Sequence, residues 1–169
     1  MVNNIEYIAE IGINHNGNIS LAYEHINRAK EAGATVAKFQ TYKTETRVAK
    51  DSGIFDILKQ CELHEEEFLQ IIDYCKSAEI KFGSTPFCKE SAKFLIDNNT
   101  PLIKIASFHI ANLDLLSYIF KENNYDTVVS TGVSKAKEIE KANLMYNDTG
   151  NKTSTLSFLH CISQYPVND

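Results

Sequence analysis

The sequence predicts an α/β fold in which parallel β-strands alternate with α-helices, as in a (β/α)₈ TIM barrel truncated to about six βα units. Short apolar runs of strand length alternate with longer amphipathic runs, which implies crossover helices between parallel strands. Polar residues follow almost every strand, and no GxGxxG turn of a dinucleotide-binding open sheet occurs. Because the strand ends of a parallel barrel open onto one face where active sites are built, the barrel is favoured over a doubly wound sheet.

Six runs rich in β-branched and aromatic residues predict the strands, and five amphipathic runs between them predict the helices. The strands are residues 5–12, 35–42, 80–87, 101–108, 126–132 and 155–161, and the helices are residues 20–33, 65–79, 89–99, 111–123 and 134–147. Ser20 is the predicted N-cap of the first helix, and Gly33 marks its end. Residues 43–63 are a long polar excursion, of the kind that often reaches over a site.

Composition limits the classes of function. The chain has 169 residues, 43% of them hydrophobic, and a formal charge of −5, which is typical of a globular domain with a real core. The acidic balance argues against a nucleic-acid surface. No apolar run approaches the roughly 20 residues of a membrane span and no signal-peptide pattern is present, so we expect no membrane partner and a cytoplasmic location. The four cysteines form no CxxC pair and are predicted to be buried free thiols.

The polar residues at the strand ends form the candidate site. They are Glu10 and Asn14, Lys38 and Gln40, Ser84 and Thr85, Lys104 and Ser107, Ser130 and Thr131, and finally His160, Ser163 and Tyr165. A buried strand needs only apolar residues, so these groups must be satisfied by each other, by water or by a ligand. We therefore expect them to line a shared pocket.

Two lysines lie within apolar strand sequences, Lys38 in VAKFQ and Lys104 in LIKIAS. Burying an unpaired ammonium costs several kcal/mol, so each should meet an anion or a carboxylate such as Glu10. A structural ion pair would explain one such lysine, and helix capping would explain any single hydroxyl. Two lysines together with several serine and threonine hydroxyls favour a pocket for phosphate and carboxylate oxygens.

The histidines near the strand ends have simpler alternatives. His160 follows SFL and is either a core histidine or part of the site. His15 and Asn16 either contribute to the site or shape a turn in which Gly17 supplies a permissive backbone.

Six motifs resemble those of one family. EIGINHNG, VAKFQTYKTE, STPF, KIAS, VVSTG and LHCISQYP, in this order, are similar to the sialic acid synthases, which include N-acetylneuraminate synthase and its relatives for legionaminic acid, pseudaminic acid and spore-coat polysaccharide. The resemblance covers residues 5–169. It implies a (β/α)₈ barrel followed by an antifreeze-like domain, a homodimer, and condensation of phosphoenolpyruvate with an N-acylated amino sugar such as N-acetylmannosamine. Residues 1–169 would then be the N-terminal part of the barrel, without strands seven and eight, and we expect this part alone to be inactive.

The resemblance also implies a role for each site residue. Lys38 and Lys104 would hold phosphoenolpyruvate, and Glu10 and Gln40 would face the reacting groups. The remaining substrate-binding positions are Thr85, Ser107 and Ser130 around the phosphate, Ser163 and Tyr165 on the pocket wall, and Asn14 beside strand one.

The family's divalent metal, manganese or magnesium, polarises the sugar aldehyde. Its two histidine ligands come from strands seven and eight, so we expect no metal ligand within this chain. His160 matches a different histidine of the family. His109 stands where relatives commonly have a glutamate that contacts the acceptor sugar.

Two alternatives to the synthase remain open at this point. Lys104 near a strand end could be the nucleophilic amine of a Schiff-base aldolase. The chain could also be a non-catalytic remnant that binds a sugar or phosphate.

Overall fold

The structure, a computed structural model, describes residues 5–121, 124–150, 154–164 and 166. It divides into two units, one ending at Phe87 and the other beginning at Cys88. In both units, parallel strands alternate with helices, which confirms the predicted α/β class and the predicted number of six strands.

The first unit contains three strands in the order of the chain, with β1 pairing β2 and β2 pairing β3. Its elements are β1 (Ile8–Gly12), α1 (Ile19–Glu31), β2 (Val36–Thr41), α2 (Thr44–Arg47), α3 (Phe55–Gln60), α4 (Glu65–Ser77) and β3 (Lys81–Pro86). Strand β2 is buried along nearly its whole length, as expected of a parallel strand covered on both faces.

The core of the first unit is built from aromatic side chains of the strands and α4. The rings of Phe39 and Phe82 lie 5.8 Å apart between centroids, and Phe68 of α4 meets Phe82 edge-on at 6.5 Å. All three side chains are almost fully buried. The helices of this unit therefore cover the sheet face that carries Phe39.

The N-cap of helix α1 lies two residues earlier than predicted, and the helix begins at Ile19. The side chain of Asn18 caps it, because its Oδ1 accepts the N–H groups of Ser20 at 2.9 Å and Leu21 at 3.1 Å. The prediction of Ser20 as N-cap was wrong, since Asn is an equally good cap and stood nearer the turn. The helix ends at Glu31, and Gly33 follows with a φ of +88°, as predicted.

The excursion at residues 43–63 is not a plain loop. It contains the short helices α2 and α3, which the sequence analysis missed because each is too short to show helical periodicity. The Nζ atom of Lys59 lies 3.1 Å from carboxylate oxygens of both Glu45 and Glu62. Glu62 in turn accepts the N–H of Thr44 at 2.9 Å. These contacts join α3 to α2.

The second unit repeats the alternation, with β4 pairing β5 and β5 pairing β6 in parallel. Its elements are α5 (Lys89–Asp97), β4 (Leu102–Ile105), a 3₁₀ turn (Ser107–His109), α6 (Leu113–Lys121), β5 (Asp126–Ser130), α7 (Ala136–Asp148) and β6 (Leu156–Leu159). Leu116, Ile119 and Phe120 of α6 are buried, and Phe120 meets Tyr146 of α7 edge-on at 5.4 Å. Strand β4 ends before Ser107, so the predicted strand was too long.

The cysteines are free, as predicted, but only partly buried. Cys61 and Cys75 lie in the core, whereas Cys88 and Cys161 are half-buried. Both exceptions come just after strands, where the chain leaves the core. Within the described part of the chain, no helix combines the length and apolar character needed to cross a bilayer.

Candidate functional site

A buried ion pair joins the first two strands. The Nζ atom of Lys38 lies 2.6 Å from Oε2 of Glu10, and the two residues are directly opposite each other in the β1–β2 ladder. The lysine side chain is 3% exposed and the glutamate side chain 50% exposed. The ammonium is therefore enclosed, while its carboxylate partner reaches water. The expectation that Lys38 would meet Glu10 is confirmed.

Gln40 and Thr85 lie one step further along the same sheet face. Side chains alternate across a strand, so Gln40 shares a face with Lys38, and the β2–β3 register places Thr85 opposite Gln40. The Oε1 atom of Gln40 and the Oγ1 atom of Thr85 are buried, and neither has a hydrogen-bond partner in the described ranges. A buried acceptor or hydroxyl without a partner costs about 1–3 kcal/mol, which indicates a place for water or a ligand.

The opposite sheet face contains Ser84. Its hydroxyl lies 2.7 Å from that of Thr41, and the β2–β3 register puts it beside Phe39. Inclusion of Ser84 in the anion pocket was therefore wrong, because alternation turns it toward the helix-covered side. Ser84 is part of a buried hydroxyl pair.

The turn after β1 holds His15 and Gly17. Nδ1 of His15 accepts the N–H of Gly17 at 3.2 Å, and the imidazole packs 5.9 Å from the Phe39 ring. Burial, and to a lesser extent the nearby His25, lowers the pKa of His15. Gly17 has a φ of +72°, and a Cβ there would lie 2.2 Å from the carbonyl oxygen of Gln60. The turn interpretation of His15 is therefore confirmed, and this histidine faces the helix-covered side.

Asn14 and Asn16 lie in the same turn. Asn14 is exposed, and its carbonyl oxygen is 3.3 Å from Nε2 of His25. Asn16 adopts a φ of +51°, which asparagine tolerates better than most residues. Asn14 thus stands beside the end of β1, where the sequence placed it.

A cation that the sequence analysis missed lies above these strand ends. The Cζ atom of Arg47 is 3.8 Å from the centre of the Phe87 ring and 4.4 Å from that of Tyr42. Tyr42 directly follows β2 and Phe87 directly follows β3. Tyr42, Leu58 and Phe87 form a small buried apolar cluster. Only the excess of aromatic residues at these strand ends could have suggested such a position.

In the second unit, the predicted residues follow β4, β5 and β6. Lys104 is half-buried within β4, opposite Val128, and Ser107 lies in the 3₁₀ turn after it. Ser130 is buried at the end of β5. The hydroxyl of Thr131 donates to the Leu159 carbonyl at 2.7 Å, so Thr131 links β5 to β6, and its place in the anion pocket was wrong.

Ser163 lies against the glycine that follows β5. A Cβ on Gly132 would be 2.6 Å from Oγ of Ser163, so a larger residue here would have to displace the serine hydroxyl. His160, which follows β6, is exposed in the described part of the chain. His109 is half-buried in the 3₁₀ turn, with its ring 4.4 Å from Phe108. Tyr165 lies outside the described residues.

The donor set does not fit a resident metal. Over the described ranges, no group of three or more histidine, cysteine, aspartate or glutamate side chains could hold a metal ion. The chemistry derived below for these residues therefore uses none.

A model of the NeuB family matches residues 25–169, well over half of the chain. The chain belongs to the NeuB family. The resemblance predicted from its six motifs is thereby confirmed.

The NeuB match agrees with individual relatives. The chain is 38% identical over 160 residues to an uncharacterized protein of Methanocaldococcus jannaschii, covering 95% of this chain and 47% of that protein. It is 35% identical over 177 residues to the N,N'-diacetyllegionaminic acid synthase of Legionella pneumophila, covering 95% of this chain and 49% of the synthase. This NeuB chain thus spans about half the length of the curated relatives it matches.

A solved structure confirms the fold. An N-acetylneuraminic acid (sialic acid) synthetase from Leptospira borgpetersenii, in complex with citrate, superposes with a TM-score of 0.90 at 31% identity. The match covers 99% of this chain and 57% of the synthetase. The NeuB chain therefore has the fold of the matching portion of that enzyme.

Proposed function

We propose that the natural protein containing this chain condenses phosphoenolpyruvate with an N-acylated amino sugar to a nonulosonic acid of the sialic type. Membership of the NeuB family and the names of its relatives, a legionaminic acid synthase and a sialic acid synthetase, support this proposal. The single observation that carries it is the enclosed Lys38 ammonium, which pairs with Glu10. On the same sheet face lie two buried oxygens, of Gln40 and Thr85, that have no hydrogen-bond partner among the described residues.

The reaction needs a pocket of this kind. Carbon 3 of phosphoenolpyruvate attacks the aldehyde carbon of the sugar, a carbon–carbon bond forms, and positive charge develops at carbon 2. Water adds there, and cleavage of the carbon–oxygen bond releases inorganic phosphate. Fixed cations and hydroxyls next to the phosphate and carboxylate hold the weak nucleophile in place and stabilise the charge changes.

Lys38 and Lys104 are the cations that we assign to the phosphate and carboxylate of phosphoenolpyruvate. An enclosed ammonium is a strong partner for such oxygens because the low-dielectric surroundings strengthen the attraction. Glu10 pairs with the Lys38 ammonium and, being half exposed, would also face the reacting groups.

The polar side chains around these lysines complete the proposed site. Thr85 would donate its unpartnered hydroxyl to the phosphate, and the Gln40 amide would face the sugar. The remaining substrate-binding residues of the proposal are Asn14, Ser107, Ser130, Ser163 and Tyr165.

The wider features of the protein belong to the same proposal. Residues 1–169 would form the N-terminal part of one barrel domain, and barrel strands seven and eight and an antifreeze-like domain would lie elsewhere in the protein. The manganese or magnesium ion and its histidine ligands would then belong to that other part. A cytoplasmic homodimer with small-molecule partners completes the proposal.

A phosphate-release assay on the natural protein tests the function. Its intact mass is measured first, against the 19.1 kDa of these residues. We expect phosphate release that requires both phosphoenolpyruvate and an N-acyl amino sugar, and a loss of about 100-fold or more in Lys38→Met. Lys93→Met, at an exposed lysine on α5, is the matched control and should retain activity.

Two outcomes would overturn the proposal. Irreversible labelling of Lys104 by a keto acid and borohydride would instead indicate a Schiff-base aldolase, since the synthase forms no lysine adduct. Ligand binding without phosphate release, at the full natural length, would indicate a non-catalytic remnant.

A further inference from the structure

Arg47 is a cation that has no paired anion among the residues that the structure describes. In the described part of the chain no carboxylate forms an ion pair with its guanidinium, and its buried Nη1 atom has no hydrogen-bond partner. Two acids of the excursion, Glu45 and Glu62, both contact Lys59 instead. A buried donor on a charged group is costly to leave unpaired, so the position requires an explanation.

The aromatic neighbours hold the guanidinium in one orientation. Arg47 packs against both Phe87 and Tyr42, which are themselves edge to face with ring centroids 5.9 Å apart. The Tyr42 hydroxyl donates to the Leu58 carbonyl at 2.9 Å, so it is not available as a partner for the arginine. Stacking of this kind fixes the plane of the guanidinium while leaving its N–H edges able to bind oxygens.

The position of this cation relates it to Lys38. Tyr42 follows β2 at the position where alternation places a side chain on the same sheet face as Lys38 and Gln40. The pairing of β2 with β3 reaches this position, because the N–H of Phe87 donates to the Thr41 carbonyl at 3.3 Å. The four residues from Lys38 to Tyr42 correspond to about 13 Å along a strand. That separation along the backbone exceeds the length of phosphoenolpyruvate, and on this ground we assign a group bound at Arg47 to a second substrate.

We propose that Arg47 binds an anionic group, a phosphate or carboxylate, on the acceptor sugar, at the end remote from the reacting aldehyde. The acceptor of this protein would then be an acidic sugar derivative rather than a neutral one. This inference rests on the proposed function only in assigning the anion to the acceptor. Arg47 would be a specificity-determining residue, and the aromatic pair would be its positioning residues.

Binding measurements on the natural protein test this without turnover. Titration calorimetry compares the affinities for N-acetylmannosamine 6-phosphate and N-acetylmannosamine, in wild type and in Arg47→Met. The methionine keeps a long apolar side chain against the two rings but removes the charge. We expect the variant to bind the phosphorylated sugar about 10-fold to 100-fold more weakly, as for loss of a charge-assisted pair, and the neutral sugar within about two-fold of wild type.

The controls separate this inference from a structural role and from failure of the proposed function. Arg28→Met removes the other arginine of the chain, an exposed one paired with Glu31, and should leave both affinities unchanged. The inference would be overturned if Arg47→Met weakened the binding of both sugars equally, or of neither. It would also be overturned if the variant weakened the binding of phosphoenolpyruvate and of no sugar. Failure of the proposed function would appear separately, as absence of phosphate release by the wild-type protein.

Discussion

Gln40 and Thr85 face each other across the β2–β3 ladder, and each has a buried side-chain oxygen without a hydrogen-bond partner in the described structure. One step away, Thr41 and Ser84 on the opposite face satisfy each other at 2.7 Å. Neighbouring positions of the same two strands thus differ in whether their polar atoms are already occupied. That difference is the reason why the proposed site includes Gln40 and Thr85 and leaves out Thr41 and Ser84.

Thr85→Val should raise the free energy of unfolding by about 1 kcal/mol, because it removes an unpartnered buried hydroxyl. The same change should weaken phosphoenolpyruvate binding about 10-fold. Thr41→Val is the matched control and should lower the unfolding free energy by about 1–2 kcal/mol, since it leaves the Ser84 hydroxyl unpaired, without affecting binding. Urea denaturation and calorimetry on the two variants measure both effects. If both variants were destabilised equally and both bound phosphoenolpyruvate as the wild type does, Thr85 would have a structural role only.

Glu10→Gln should lower the free energy of unfolding by about 2–4 kcal/mol, because it removes the carboxylate charge that pairs with the enclosed Lys38 ammonium. Asp97→Asn, which breaks an exposed pair with Lys93, should cost less than about 0.5 kcal/mol. Chemical denaturation of both variants at neutral pH provides the comparison. Similar losses in the two would mean that water already screens Lys38.

Gly17→Ala should lower the free energy of unfolding by about 3–5 kcal/mol. It combines a left-handed backbone at φ +72° with a Cβ only 2.2 Å from the Gln60 carbonyl oxygen. Gly33→Ala has the backbone strain alone, with φ +88° and nothing within 4 Å of the added carbon, and should cost about 1–2 kcal/mol. Thermal and urea unfolding distinguish the two. Equal costs would show that the turn after β1 moves away from α3 freely.

Stability should fall as the pH drops below the ordinary histidine pKa of about 6.5, in part through His15. Its pKa is lowered in the folded state by burial and by His25, so below its ordinary value of about 6.5 the unfolded chain binds more protons at this position than the folded chain. The loss begins near pH 6.5 and continues down to the folded-state pKa. His15→Gln should flatten the slope of unfolding free energy against pH. An unchanged slope in His15→Gln would refute the assignment.

Thiol labelling at pH 8 should distinguish the cysteines. Burial raises the pKa of Cys75 to about 12, so its reactive thiolate is scarce in the folded protein. Cys88 and Cys161 are half-buried and should react first with iodoacetamide, while Cys75 reacts only after unfolding. Mass spectrometry of peptides from timed samples identifies the order. Early labelling of Cys75 in the native state would mean that α4 opens locally.

The strand and helix order followed from the sequence because each element is periodic over enough residues. The pairing of Lys38 with Glu10 could also be anticipated, since an ammonium within VAKFQ needs a carboxylate and Glu10 ends the preceding strand. Both conclusions depend on strong local patterns and on the large cost of an unpaired buried charge.

Features that depend on side-chain direction were predicted less well. Ser84 was placed on the wrong face because a run of consecutive hydroxyls does not reveal the register of its strand. Arg47 was overlooked because it lies in a helix of four residues, and its importance comes from rings 5 and 40 residues away in the chain. Such contacts exist only once the strands are paired.

The order of Glu10 and Lys38 along the chain also bears on biosynthesis. At the ordinary pace of translation, roughly 5–20 residues per second, the 28 residues between them take roughly 1–6 s to be made. The carboxylate therefore leaves the ribosome before the lysine that it will neutralise. When β2 collapses against its neighbours, a carboxylate for its ammonium is already present on the nascent chain, so this lysine does not have to be buried before its counter-charge exists.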